Sequence, residues 1–192
     1  MSLYCICGKS ASGKDSIYRR LMADEGLGFG SVVSYTTRPR RDGETEGKEY
    51  HFSDLEGLEA FRASGKLIEE RVYHTVHGDW HYFTVDDGSI DPGKDYLLIS
   101  TPEGIRALKA YFGDEAVKGL YIELDDGERL QRAVSRERQQ AEPKYAELCR
   151  RFLADEKDFS EQELEKAGIE ARFVNDELET CVRRIRSYIA NA

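Results

Sequence analysis

The sequence predicts an α/β fold: a mostly parallel sheet with helices on both faces, interrupted by an inserted subdomain. Three observations predict it. Apolar, strand-like runs alternate with segments of helical period along most of the chain. The first run leads straight into CGKSASGKDS (residues 7–16), where Gly8, Gly13 and Lys14 keep the spacing G-x-x-x-x-G-K of a phosphate-binding loop. Residues 36–88 then break the alternation with an Arg-rich loop and a strand pair.

Leu3–Cys7 is unbroken apolar sequence, as expected of a strand buried on both faces. Asp15–Ala23 reads as the first helix and Val32–Tyr35 as the second strand. Residues 36–52 are polar and end in Tyr50-His51-Phe52; Asp54 then caps a helix whose Leu55, Leu58 and Phe61 recur at helical spacing, and Gly65 ends it. Leu67–Tyr73 and Trp80–Val85 read as a strand pair around a turn at His77-Gly78-Asp79. Next come a buried strand at Tyr96–Ser100, a helix at Pro102–Tyr111, a strand at Val117–Leu124 and a helix at Asp126–Arg138. Pro143–Ala167 is helical with a break near Ser160, where Ser160 and Glu163 have capping-box spacing. Phe173-Val174-Asn175 is the last strand and Glu177–Ile189 the last helix. The expected division is one domain: a core of 1–33, 89–134 and 147–192, an inserted subdomain at 34–88, and a short separate segment at 135–146.

The chain has 192 residues, 40% hydrophobic and 34% charged, which suits a single globular domain. A net charge of −9 argues against a nucleic-acid surface. No apolar run approaches membrane-spanning length and no signal-peptide pattern is visible. The four cysteines form no metal-ligand pattern. They read as free thiols, so the expected location is cytoplasmic.

In a loop of this kind the glycines let successive backbone N–H groups turn towards phosphate oxygens. The following helix aims its positive end at the same point. Gly8, Ser10, Ala11, Ser12, Gly13, Lys14, Asp15 and Ser16 are therefore the candidate ATP-binding residues, with Lys14 reaching the transferring phosphates. The plain alternative is a strand-to-helix turn with an exposed lysine; the context of strand before and helix after favours the loop. The residue after the lysine is ordinarily Ser or Thr, whose hydroxyl binds Mg²⁺. Here it is Asp15, whose carboxylate suits Mg²⁺ directly or through water, or serves only as a helix-start acid. Ser16 is no substitute, because one step along a helix turns the side chain by about 100°.

The insert carries Ser34-Tyr35-Thr36-Thr37-Arg38, then Arg41-Asp42-Gly43-Glu44, then Gly47-Lys48-Glu49-Tyr50-His51-Phe52. Here the sequence closely resembles the guanylate kinase family, whose pattern is S-x-T-T-R…R-x-G-E…G-x-x-Y-x-F, followed by a strand acid and a Tyr with Ser or Thr two residues on. Glu69 and Tyr82-Phe83-Thr84 match those later parts, and Phe173–Leu178 matches the family's last strand and helix start. The resemblance runs from residue 4 to about residue 188 and implies a P-loop kinase fold, with ATP and Mg²⁺ as cofactors and nucleotides as partners. It implies that Arg38, Arg41, Tyr50 and Tyr82 hold a monophosphate, which Arg does bidentately. It implies that Ser34, Glu69 and Thr84 read the base; a carboxylate accepts from guanine's N1–H and N2–H₂ together. Arg132 and Arg136 share a helix face. With Arg151 they resemble the family's lid arginines, which stabilise charge on the transferring group; Arg150 is a rival to Arg151. Asn175 matches a position near the adenine.

The chain also departs from the family. Leu98-Ile99-Ser100-Thr101 stands where the family has L-D-I-D, Phe83 replaces a Gly, and DDGSIDPG (86–93) is unsuited to the helix expected there. Glu70 beside Glu69 leaves open which acid faces inwards. His74, His77 and His81 do not have the spacing of a metal site. The expected activity is transfer of the ATP γ-phosphoryl group to GMP or dGMP by a monomer or homodimer without nucleic-acid or membrane partners. Two alternatives remain. The loop Ser12-Gly13-Lys14-Asp15-Ser16 resembles that of ribose 1,5-bisphosphate phosphokinase, a sugar-phosphate kinase. A guanylate-kinase-like binding module without catalysis is the other, though it has no use for Lys14.

Overall fold

A computed structural model describes residues 1–41, 43–75 and 78–191. The central sheet has five parallel strands, β1 (Leu3–Cys7), β2 (Gly30–Ser31), β7 (Tyr96–Ile99), β8 (Val117–Glu123) and β9 (Ala171–Val174), in the order β2-β7-β1-β8-β9. Side-chain alternation in β1 feeds two cores. Leu3, Cys5 and Cys7 pack on one face with helices α3 (Pro102–Phe112) and α6 (Glu161–Lys166). Tyr4 and Ile6 pack on the other with α1 (Lys14–Met22) and α7 (Leu178–Ile189). The sheet is thus buried on both faces, as the apolar strand runs required.

Because β7 and β8 flank β1 on opposite sides, the order of connection reverses beside β1. In open α/β sheets that reversal opens a crevice at the strands' carboxyl ends, and the loop of residues 8–13 begins there. The second sheet is built from the insert: β3 (Tyr35–Thr36), β4 (His51–Phe52), β5 (Leu67–Thr75) and β6 (Gly78–Val85), in the order β4-β3-β6-β5, with α2 (Leu55–Ala63) on one side. Leu58, Phe83 and Val85 form its small core.

Several expectations are revised. The single strand read at Val32–Tyr35 is two: β2 ends in the central sheet at Ser31, residues 32–34 cross over, and β3 begins in the second sheet at Tyr35. The turn read at His77-Gly78-Asp79 falls partly on residue 77, outside the described residues. The helix read at Pro143–Ala167 is α5 (Tyr145–Asp158) and α6, broken at Ser160 as expected. The capping box is not made: Ser160 gives no side-chain cap hydrogen bond, and Glu163 is drawn into ion pairs with Arg106 and Lys166. Residues 86–93 contain no helix.

Candidate functional site

The loop between β1 and α1 is shaped by close packing and by left-handed backbone. A Cβ at Gly8 would lie 2.8 Å from the Ile122 carbonyl, so only glycine lets the chain pass β8 there. Gly13 has φ 90° and caps α1 without a side-chain hydrogen bond, which leaves the helix start open to an anion. Ala11 also has positive φ, at 63°, a strained conformation for a residue with a Cβ, and such strain recurs at ligand-binding loops. Asn175 supports the loop from β9: its Nδ2 donates to the Ser12 carbonyl at 2.7 Å, and its amide lies against Gly13. The resemblance puts Asn175 near an adenine; here its carboxamide is engaged under the loop. Among the described residues, Ser12 Oγ and Asn175 Oδ1 are buried polar atoms without a hydrogen-bond partner.

Lys14 projects from the helix start with Nζ 3.6 Å from an Asp15 carboxylate oxygen, and the Asp15 side chain is 70% exposed. Its oxygens are hard donors of the kind Mg²⁺ selects. Burial pushes the nearby Cys7 thiol up to about 12, with Lys14 opposing, so Cys7 is an inert packing residue.

Arg132 and Arg136 lie on α4 (Asp126–Glu137), which Asp125 caps through the amides of Gly127 and Glu128. Arg132 Nη2 donates to the Asn175 carbonyl at 3.3 Å. Arg136 lines a cleft of about 110 Å³ between the loop, α4 and α5, together with Ser10, Lys144 and Arg151. Of the two rivals, Arg151 lines this cleft. Both pair with Glu147, at 2.7 Å for Arg150 and 2.9 Å for Arg151. Hydrogen bonds from Arg150 and then Arg151 hold the Glu147 carboxyl down to about 2 against its partial burial.

The insert assembles a second row of polar groups on one face of its sheet. At one end Thr84 Oγ1 donates to Glu69 Oε1 at 2.8 Å and lies 3.3 Å from Ser34 Oγ. Glu69 is only 8% exposed. Its Oε2 lies 3.5 Å from where a Cβ on Gly104 would be, in the first turn of α3 and next to Ser100. The positive end of α3 therefore faces Glu69, at the carboxyl edge of the central sheet. The strand register shifts between Leu67 and Glu69, and beyond the shift Glu69 stands opposite Thr84. Glu70 takes the opposite face, where it binds His81 Nδ1 at 2.5 Å and pairs with Arg62.

At the other end Arg38 is 3% exposed. Its guanidinium forks onto Glu44 at 2.8 and 2.5 Å, donates from Nε to the Tyr82 hydroxyl at 3.1 Å, and stacks over Tyr50 at 5.1 Å and Phe52 at 5.6 Å. Tyr50 and Tyr82 meet edge to face at 5.5 Å. Arg41 is exposed, with its backbone amide on Glu44 at 2.8 Å. Arg38 is thus mainly the pivot of this end, and Arg41, Tyr50 and Tyr82 surround it.

Four residues were not singled out from sequence. Glu44 was only part of the quoted motif, and it organises both arginines. Arg129 precedes Arg132 by one helical turn; it is 1% exposed, pairs with Asp126 at 3.0 Å and stacks on Phe152 at 4.6 Å. Asp155 accepts from the Ser10 amide at 2.7 Å and so ties α5 to the loop. Arg71 is two residues beyond Glu69 on the same strand face, a placement that strand alternation alone would have flagged.

The chain matches the family model described as guanylate kinase over residues 1–192. It is 31% identical to a guanylate kinase of Salinibacter ruber over 99% of this chain and 98% of the relative. It is 28% identical to one from Porphyromonas gingivalis over 98% and 96%. It shares its fold with the crystal structure of guanylate kinase from Anaplasma phagocytophilum, at a TM-score of 0.65 and 21% identity, covering 99% of this chain and 85% of the other.

Proposed function

The chain belongs to the guanylate kinase family, and from that membership we propose that it transfers the γ-phosphoryl group of ATP to GMP or dGMP. The observation that carries the reading is the polar row on the insert. A buried carboxylate with two hydroxyls, Glu69, Thr84 and Ser34, lies at one end, and an arginine–tyrosine cluster at the other. That order fits a nucleotide with a donor-rich base edge at one end and a dianionic phosphate at the other.

In this reading residues 8–16 hold the ATP phosphates on open amides, and Lys14 follows the charge on the transferring group. Arg132, Arg136 and Arg151 stabilise the same charge from the lid side, with 135–146 as the lid and 34–88 as the acceptor-binding insert. Asp15 is the residue that would hold Mg²⁺ arriving with ATP; when bound, the ion neutralises phosphate charge. Glu69, Ser34 and Thr84 orient the guanine, and Arg41, Tyr50 and Tyr82, braced by Arg38, aim the acceptor phosphate. The attacking oxygen is already anionic, so no general base is needed. Catalysis is then positioning and charge neutralisation without a covalent intermediate. Four unpaired thiols support a cytoplasmic location, and among the described residues no helix is long and apolar enough to cross a membrane. We take the working form to be a monomer or homodimer.

The test is ADP release from ATP with GMP, dGMP, AMP, UMP and ribose 1,5-bisphosphate as acceptors. GMP and dGMP are expected to support turnover and AMP and UMP not. Turnover with the sugar bisphosphate alone would replace this reading by the sugar-phosphate kinase, and silence with every acceptor would leave a binding module.

A further inference from the structure

Arg71 lies on the acceptor face between its two ends. It is two residues from Glu69 on β5, and its partner across the hairpin is Tyr82. Its Nε is 3.2 Å from Glu69 Oε2 and its Nη2 3.4 Å from Glu69 Oε1. Those contacts are long for a charged pair. Among the described residues, neither Arg71 Nε nor Glu69 Oε2, both buried, has a hydrogen bond of proper geometry. A buried donor and a buried acceptor that satisfy each other poorly each keep hydrogen-bonding capacity for a third group beside them. The charge of Arg71 also reaches the phosphate end: burial and Tyr82 raise the Tyr50 hydroxyl, while Arg38 and Arg71 oppose the rise.

The chemistry of that third group follows from the donor order. Along one edge guanine presents N2–H₂ and N1–H donors, then the O6 acceptor, with N7 beyond it. Glu69 supplies acceptors for the first two, and the guanidinium of Arg71, beside that carboxylate, supplies donors suited to the acceptors that follow. Arg is the side chain that meets O6 and N7 of guanine together. Adenine would set its N6 amino donors against the same guanidinium. We propose that Arg71 is a second base-reading residue, which donates to the O6/N7 edge of the acceptor purine while Glu69 accepts from its N1/N2 edge.

This inference rests on a guanine nucleotide being the acceptor, and its test separates the two. kcat/KM is measured with GMP, with 7-deaza-GMP, which lacks the N7 acceptor, and with IMP, which lacks only the N2 amine. The wild-type protein should prefer GMP over 7-deaza-GMP by about tenfold, the scale of a specific arginine–guanine contact. In Arg71→Met that preference should shrink to about twofold or less, while the preference for GMP over IMP, read by Glu69, persists. Arg71→Lys, which keeps the charge and loses the fork, should also lose most of the preference. If Arg71→Met lowers all three substrates equally, or erases the IMP discrimination as well, Arg71 only props Glu69 and the proposal is overturned. Should Arg71→Met fold poorly, Arg71→Lys decides by the same ratios. Unchanged selectivity with good GMP turnover overturns this inference alone, whereas a wild-type protein inert towards GMP overturns the functional reading beneath it.

Discussion

Asn175, just past the end of β9, donates its side-chain amide to the carbonyl of Ser12, 163 residues earlier, at 2.7 Å. The same residue receives Arg132 on its own carbonyl at 3.3 Å and donates its backbone amide to the Glu123 carbonyl at 2.9 Å. One buried residue therefore joins the three elements: its side chain holds the loop, and its backbone holds the last strand and the arginine helix. Asn175→Ala would leave the Ser12 carbonyl unsatisfied, a loss of about 1–3 kcal/mol. Denaturant unfolding should show that loss, and KM for ATP should rise as the loop loosens. A variant with wild-type stability and wild-type ATP affinity would reduce the tether to an incidental contact.

Lys14 stands at the open start of α1 with a partly exposed side chain, so its removal should spare the fold. Lys14→Met is expected to lower turnover by roughly 10²-fold or more, the scale of a lost transition-state charge contact. Circular dichroism and thermal melting should match wild type. Near-normal turnover in a folded variant would remove the ATP site from residues 8–16.

For Asp15 the informative quantity is the Mg²⁺ requirement. Asp15→Ala should raise the Mg²⁺ concentration needed for half-maximal rate, and Asp15→Ser, which restores a hydroxyl, should recover much of the loss. The same half-maximal concentration in all three proteins would make Asp15 a helix-start acid only.

How much of this was legible in the sequence depends on how local each determinant is. The loop was legible because a strand, two glycines and a lysine at fixed spacing state its geometry within ten residues. The division of Val32–Tyr35 was not, because the crossing between two sheets at 32–34 is a tertiary event that β-propensity does not encode. Glu69 and Glu70 are equivalent acids on paper; beyond a register shift after Leu67 it is Glu69 that stands opposite Thr84, and such shifts leave no firm mark in side-chain pattern. Arg150 and Arg151 are equivalent in sequence, and only the rotation of α5 turns Arg151 towards the cleft. Asp155 was invisible for another reason: its partner is a backbone amide on a distant loop.

Glu44 carries the pH dependence that the structure specifies most directly. The hydrogen bonds from Arg38 and then from the Arg41 amide lower its carboxyl from the usual 4.5 to about 2. A carboxyl depressed in the folded state stabilises fully above its unfolded pKa, and that contribution is lost as pH falls from there through the folded value. The difference in melting temperature between wild type and Glu44→Gln should therefore be constant above about pH 5, shrink below it and vanish near pH 2. A difference that persists unchanged at pH 2 would assign the stabilisation to packing around Arg38 instead.

The comparison that tests the acceptor assignment sets Glu69 against Arg41, at opposite ends of the polar row. Glu69→Gln keeps the size and places an amide donor against guanine's N–H groups. A site built to hydrogen-bond its ligand loses a few kcal/mol when a buried group is opposed, so kcat/KM for GMP should fall by roughly 10- to 100-fold. KM for ATP should stay put, because the change lies in acceptor binding alone. Arg41 is exposed, so Arg41→Ala should leave stability intact while weakening any phosphorylated acceptor, sugar or nucleoside. Glu69 is buried beside Arg71, so melting curves must accompany the kinetics, and a rise in KM for ATP would mark general damage rather than lost base reading. A crippled Arg41→Ala beside an unaffected Glu69→Gln would mean that the acceptor carries no guanine, and the sugar-phosphate kinase reading would take its place. Two unaffected variants would move the acceptor site away from residues 34–84 altogether.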